Sequence, residues 1–293
     1  MFQQITIIGP GLLGASLAMA VKASVLAERI VAWDRNAESL QKCQSQEWCD
    51  VGSESLEAAV AGSDLILLCT PVQTIPSILE QIVPALTGNV LVSDVGSAKA
   101  FICRKAHRLF KDSPATFIGS HPMTGSDQTG MENARPDLFK GAACILTPLP
   151  DTPETMTRTL ITFWESLEMR ITQVSPETHD AIVAHISHLP HILTSVLCSY
   201  LSEKDNYWQT LSGGGLRDTT RTAAADPELW KQILEQNRDE ILQAIQGFEQ
   251  KLDTLKTALS QNDSKGIFSQ LEQGKIYRDR LKSEKLKVKS EKC

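Results

Sequence analysis

Short apolar runs separated by longer helical patterns fill the first half of the chain. Ile5-Thr6-Ile7-Ile8, Ile30-Val31-Ala32-Trp33, Asp64-Leu65-Ile66-Leu67-Leu68-Cys69, residues 89–94, Thr116-Phe117-Ile118-Gly119 and Ala142-Ala143-Cys144-Ile145-Leu146 each read as a strand, and residues 170–174 close the series. Several of these runs are apolar without alternation. That pattern marks strands buried on both faces, hence a parallel sheet with right-handed crossovers. Helical patterns lie between them: an Ala/Leu-rich segment through Val21, a polar one ending near Gln46, one around Ser55 to Ala61, one from about Val72 to Leu86, and one that Thr152 caps ahead of Pro153.

Near Ser175 the pattern changes. Ser175-Pro176 and Asp226-Pro227 each read as a helix cap followed by the first helical residue, and no strand pattern appears after them. From Ile241 the apolar positions run Ile241, Ile245, Phe248, Leu252, Leu255, Leu259 in alternating steps of four and three. This is the narrow stripe of a coiled-coil-like seam. A domain built of few long helices can hardly cover all its apolar surface, so pairing with a second copy is expected. The division predicted is 1–174 and 175–293. The lysine-rich tail from Arg278 reads as a solvated helix end, disordered from about residue 286.

Composition narrows the function without naming it. The 293 residues are 42% hydrophobic and 22% charged, with a formal net charge of −6, as in an ordinary soluble globular protein with no nucleic-acid footprint. No run is apolar enough throughout to span a bilayer, and no signal peptide is expected ahead of a strand that starts almost at Met1. The 7 cysteines are scattered without a C-x-x-C pair. Reduced, mostly buried thiols in a cytoplasmic protein are the simplest account.

The first strand leads at once into Gly9-Pro10-Gly11-Leu12-Leu13-Gly14 and then a helix. In that context G-x-G-x-x-G is a dinucleotide fingerprint: a tight turn, close approach to a pyrophosphate, and close helix–strand packing, with the anion at the helix N-terminus. The second strand delivers Asp34 about 20 residues past Gly14, the spacing of an acid that binds the ribose hydroxyls of NAD. Arg35 follows and can accept a 2′-phosphate, so NADP is the alternative. Leu12 and Leu13 in the turn and Thr70-Pro71 after the third strand complete the expected cofactor-binding set.

Three further groups carry candidate chemistry. His121, in Ser120-His121-Pro122-Met123-Thr124-Gly125 just past a strand, stands at the edge where open α/β sheets bind ligands and is the candidate catalytic base. Ser97 and Lys99, after the strand ending at Asp94, belong to the same edge; they could be a helix cap and an exposed charge, a reading that explains Lys99 equally well. His179, His185, His188 and His191 share one helical segment, but His185 and His191 face nearly opposite ways and no acid or cysteine completes a shell, so no metal is expected. Gly213-Gly214-Gly215 opens a helix that shows Arg217 and Arg221 on one face, a natural seat for a carboxylate substrate.

In order along the chain stand GPGLLG, DVGSAK, GSHPMTG, LTP, SPETHD, ISHLPH, GGGLRDTTR and ADPELW. This series resembles the prephenate and arogenate dehydrogenases of tyrosine biosynthesis, from the fingerprint to about Gly274. The resemblance implies an α/β fold with an N-terminal Rossmann-type dinucleotide-binding domain and a mostly parallel sheet, followed by an all-helical domain through which two subunits pair. It also implies the oxidative decarboxylation of prephenate with hydride transfer to NAD. His121 matches the family's catalytic histidine and Ser97 the serine that bonds the reacting hydroxyl. Arg221 matches the arginine that holds the ring carboxylate, with Asp218 beside it, and His191 matches a histidine facing the substrate's side chain. Pro10 inside the fingerprint departs from the common pattern. A β-hydroxyacid dehydrogenase would share the layout but carry its catalytic lysine on a helix. An NAD-dependent sensor with a dead site is the alternative from another class.

Overall fold

In a computed structural model of the chain, residues 2–125 and 128–290 are described, the side chains of 282–290 excepted. The order is β1 (Phe2–Ile8), α1 (Leu12–Ala23), β2 (Ala27–Trp33), α2 (Ala37–Gln44), β3 (Val51–Gly52), α3 (Leu56–Val60), β4 (Leu65–Leu68), α4 (Ile75–Ile82), β5 (Leu91–Asp94), α5 (Ala100–Phe110), β6 (Thr116–Pro122), β7 (Ala143–Thr147), α6 (Glu154–Ser166) and β8 (Arg170–Gln173). Helices follow: α7 (Pro176–Val183), α8 (Leu189–Ser202), α9 (Tyr207–Thr210), α10 (Gly214–Thr220), α11 (Pro227–Gln236), α12 (Arg238–Ser260) and α13 (Ser264–Ser290). The two-residue β3 carries too little pattern to be read from sequence.

The eight strands form one sheet in the order β3-β2-β1-β4-β5-β6-β7-β8. All neighbours pair parallel except β6 and β7. The order reverses between β1 and β4, and ligands bind at such a switch point, outside the carboxyl ends of the strands. Both faces are covered, which is why the runs do not alternate. Ile5, Ile7, Leu65 and Leu67 point into a core shared with α1 and α6, while Ile8, Ile66, Leu68 and Val92 enter a second core under α3, α4 and α5.

The caps at Ser175 and Asp226 accept from the amides of Thr178 and Glu228, as expected of those residue types. Thr152 does not cap α6; Pro153 occupies that place, and the Thr152 hydroxyl instead accepts from the Leu149 amide within the turn.

Residues 176–202 are helical throughout, long and apolar enough by length and composition to cross a membrane, unlike any run expected from the sequence. Yet His179, Asp180, His188 and His191 lie buried along the same helix. Between α7 and α8, Ala184–His188 forms a π turn just ahead of Pro190, which has no N–H to give to an α-helical ladder. His179 and His191 would stand about 120° apart on an unbroken α-helix; the residue absorbed by the turn brings them to within about 20°.

The chain divides into two compact units, 1–241 and 242–293. In the first, α7 packs on α5 and β7, and Trp230 and Ile233 of α11 reach the second core. In the second, Asn262, at φ +55, turns the chain from α12 into α13, whose first turn bonds to Asp263. Leu252, Leu259, Phe268 and Leu271 there are exposed. The backbone of α13 is helical to Ser290, and the last residues of the expected disordered tail, 291–293, lie outside the described residues.

At Gly14, α1 lies close against the turn out of β1 and the end of β4: a Cβ there would lie 2.5 Å from the Gly9 carbonyl oxygen and 3.1 Å from Cys69 Cβ. Gly14→Ala should therefore cost about 1–3 kcal/mol, from forced displacement of α1. Equilibrium denaturation checks this, and an unchanged stability would show that α1 can move freely.

Candidate active site

The carboxyl ends of β1, β2, β4, β5 and β6 share one edge, and the predicted residues collect there. Gly9, at φ +82, turns the chain out of β1. A Cβ on it would lie 2.5 Å from Thr70 Cγ2, so this turn and the end of β4 are in close contact. Gly11 is exposed with open space over its Cα, and Leu12 and Leu13 begin α1 with amides that have no partner within the helix. The Thr70 hydroxyl is buried without a partner, and Pro71 beside it is exposed. Asp34, past β2, is half-buried and accepts from the Asn36 amide at 2.8 Å; Arg35 is exposed. Bare backbone at Gly11, an unused hydroxyl and free helix amides suit a pyrophosphate, and an acid at the β2 end suits ribose hydroxyls. The residues present fit NAD.

Ser97 lies half-buried in the turn between β5 and α5, and His121 lies buried at the end of β6. His121 is not alone. Its Nδ1 is 2.8 Å from His179 Nε2, and His179 Nδ1 is 2.7 Å from Asp180 Oδ1. A carboxylate can only accept, so His179 donates its Nδ1–H to Asp180 and presents the lone pair of Nε2. His121 must then donate from Nδ1, which leaves its Nε2 with a lone pair. The network sets the tautomer of a base.

Asp180 also takes the amides of Lys99 (2.7 Å) and Ala100 (2.9 Å) at the head of α5. Burial alone would raise its pKa, but the bonds from His179 and these two amides outweigh that and hold it below the ordinary carboxylate value. His121 is held well below the ordinary histidine value, first by burial and then by His179, Lys99 and His188. Burial likewise lowers His179, against the pull of Asp180, and brings His188 to about 4. All three are neutral at pH 7.

The helical side supplies the rest. His191 stacks on Trp230 with ring centroids 3.5 Å apart and planes 3° from parallel, and its Nδ1 is buried without a partner. Arg221 and Asp218 are exposed, Asp218 on α10 and Arg221 in the 3-10 turn Arg221–Ala224 that follows it, so Arg217 and Arg221 do not share one continuous α-helix as expected. Their link to His191 runs through hydroxyls: Thr222 meets Thr194 at 3.0 Å, and Thr194 donates to the His191 carbonyl. Of the remaining histidines, His185 is exposed and bonds the Ala181 carbonyl at 2.9 Å.

Three groups in the site go beyond what the sequence alone leads one to expect. His179 and Asp180 are tied to the base; the signal for them is an adjacent His-Asp pair one turn inside a capped helix. Lys99 is neither cap side chain nor exposed charge, but fully buried and paired with Asp94. Asn237, which donates to the Asp180 carbonyl at 2.8 Å and meets His188 Nδ1 at 3.2 Å, had no local signature.

Because His121, His179 and His188 bind protons more weakly folded than unfolded, the unfolded chain takes up more protons as pH falls below about 6.5. Stability should be full above that pH and decline towards pH 4, with His188 alone contributing on the order of 3 kcal/mol of the loss. Denaturation midpoints across this range measure it. A midpoint constant from pH 7 to 4 would contradict the neutral buried histidines.

Two family models match the chain: "Prephenate dehydrogenase, nucleotide-binding domain" over residues 17–173 and "Prephenate dehydrogenase, dimerization domain" over 175–273. A cyclohexadienyl dehydrogenase of Zymomonas mobilis is 30% identical, with 97% of each chain covered. The crystal structure of prephenate dehydrogenase from Aquifex aeolicus in complex with hydroxyphenyl propionate and NAD+ superposes with a TM-score of 0.89 at 28% identity, over 96% of this chain and 99% of that one. A Synechocystis arogenate dehydrogenase superposes at 0.82 with 30% identity, over 95% and 99%. With fold, fingerprint and both domain models in agreement over most of its length, the chain belongs to the prephenate dehydrogenase family.

Proposed function

We propose that this chain is an NAD-dependent prephenate dehydrogenase that converts prephenate to 4-hydroxyphenylpyruvate on the route to tyrosine. The observation that carries the reading is the Asp180–His179–His121 chain, which presents a neutral imidazole nitrogen at the edge of a dinucleotide fold. Bound in the cradle of Gly9, Gly11, Leu12, Leu13, Gly14, Thr70, Pro71 and Asp34, with Arg35 beside it, NAD supplies the hydride acceptor.

The substrate's ring hydroxyl must lose its proton as its carbon loses hydride, and His121 Nε2 accepts that proton. Ser97, on the neighbouring turn, bonds the same hydroxyl and orients it. Loss of carbon dioxide then leaves an aromatic ring whose phenolate oxygen takes the proton back from His121, so the protein's task is mainly orientation and reversible proton transfer. The ring carboxylate is assigned to Arg221, with Asp218 as its neighbour, and the pyruvyl side chain to His191. The imidazolium formed on His121 is shared through His179 with Asp180.

Residues 1–174 serve the cofactor and residues 175–293 the substrate side chain and subunit pairing. A homodimer is supported by the dimerization-domain match and by the exposed apolar faces on α12 and α13. The apolar length of 176–202 is read as core and interface, because its four buried polar residues serve the site. The six cysteines among the described residues are free, which is consistent with a reducing, cytoplasmic setting.

Arogenate is the second substrate reading, favoured by the Synechocystis relative and by one feature of the site. Burial lowers the His191 pKa, so at neutral pH the ring carries no charge to repel arogenate's ammonium, and only its N–H distinguishes the two substrates.

NADH formation with prephenate tests the activity directly. His121→Asn should lower turnover by roughly 10² to 10⁴-fold with NAD affinity kept. The acid limb of kcat/KM should lie below about 6.5, the ordinary histidine value; near-normal turnover in the variant would end the assignment. For substrate choice, His191→Val should reduce the prephenate-to-arogenate ratio of specificity constants by about five-fold, the worth of one neutral hydrogen bond. An unaltered ratio would remove His191 from recognition.

A further inference from the structure

The ladder between β5 and β6 stops at Ser93 and Ile118. Beyond it lie the turn with Ser97 and the segment with His121, which must converge on one hydroxyl. Ser93 Oγ meets Ser120 Oγ at 2.6 Å, and the connection towards Ser97 is carried on by the side chain of Asp94. Its carboxylate accepts from the Gly96 amide at 2.8 Å, from the Ser120 amide at 3.3 Å, and from Lys99 Nζ. One neighbour of each proposed reacting residue is thereby tied to the same group.

Lys99 closes the assembly from the other side. Its backbone amide is held by Asp180, and its methylene chain runs under β6, where a Cβ on Gly119 would lie 3.0 Å from Lys99 Cδ. Both charged side chains are fully buried. A buried ion pair is a poor source of stability, because desolvation offsets most of its attraction, and apolar replacements are often neutral or better. Its presence calls for another role.

We propose that the buried Lys99–Asp94 pair is a positioning brace for the reaction, fixing the turn that carries Ser97 against the strand that carries His121 without touching substrate. The proposal rests on Ser97 and His121 being the reacting pair. A second effect follows from charge. His121 is faced by Lys99 from the head of α5, His179 and Asp180 from α7, His188 from the π turn, Asp94 through Ser120 from β5, and the Cys144 thiol of β7, which burial keeps protonated. Lys99 is the fixed cation among them and opposes protonation of the base.

The test is the full-length double variant Asp94→Asn with Lys99→Met, in which Asn keeps an acceptor for one of the two amides and no charge is left unpaired. We expect a melting temperature within about 5 °C of the unaltered protein, an unchanged KM for NAD, and a kcat lower by on the order of 10²-fold from misplacement of the reacting groups. The acid limb of kcat/KM should move to higher pH, which a purely structural pair would not cause. A folded double variant with unaltered kcat and acid limb overturns the proposal. Amide exchange in the unaltered protein decides the matter without any variant: Gly96 and Ser120 should be protected as strongly as Val92 within β5, and exchange at loop rates at either position overturns the brace. That readout is independent of substrate, whereas an unaltered protein inactive on prephenate would sink the functional reading alone.

Discussion

One carboxylate, that of Asp180, joins the helical part of the first unit to the chemistry of the sheet. It lies at the N-terminus of α5, where two backbone amides and the positive end of the helix favour an anion. Taking a carboxylate out of water is expensive, and three charge-assisted bonds are what make the position tenable. The same oxygen that receives the Lys99 amide also receives His179, so the arrangement that anchors α7 to α5 dictates which nitrogen of His179, and then of His121, keeps its proton. Docking and proton transfer are settled by one group.

The site is electrostatically economical. Asp94, Asp180 and Lys99 bring two negative charges and one positive charge into a region with three neutral histidines. The resting cluster is one proton short of neutrality. Uptake of a proton by His121 brings the cluster to neutrality, so the imidazolium is not an isolated buried cation, although burial and Lys99 keep the resting base neutral.

The fold was legible because its signals are local. Seven of the eight strands, the fingerprint and two of the helix caps each depend on a few consecutive residues, and strand-to-helix alternation leaves little freedom in topology. The cofactor cradle was legible for the same reason. The support behind the base was not. His179, Asp180, Lys99 and Asn237 act through contacts 49 to 81 residues apart in sequence, and nothing in their neighbours distinguishes a buried Lys99 from an exposed one. Lys99 packs beside Gly119, a residue in another strand whose missing side chain leaves room there. The phase of His191 also escaped a helical wheel, because the wheel assumes an unbroken α-helix and the π turn violates it.

That turn fixes the length of the chain as much as its shape. Side chains between His179 and His191 can vary so long as the buried face is kept, but adding or removing a single residue would rotate one histidine by about 100° relative to the other. One of the two would then leave the site. Loops elsewhere in the molecule can lengthen at modest entropic cost, whereas this stretch, from the residue that orients the base to the residue assigned to the substrate's side chain, is a ruler whose divisions cannot be changed one at a time.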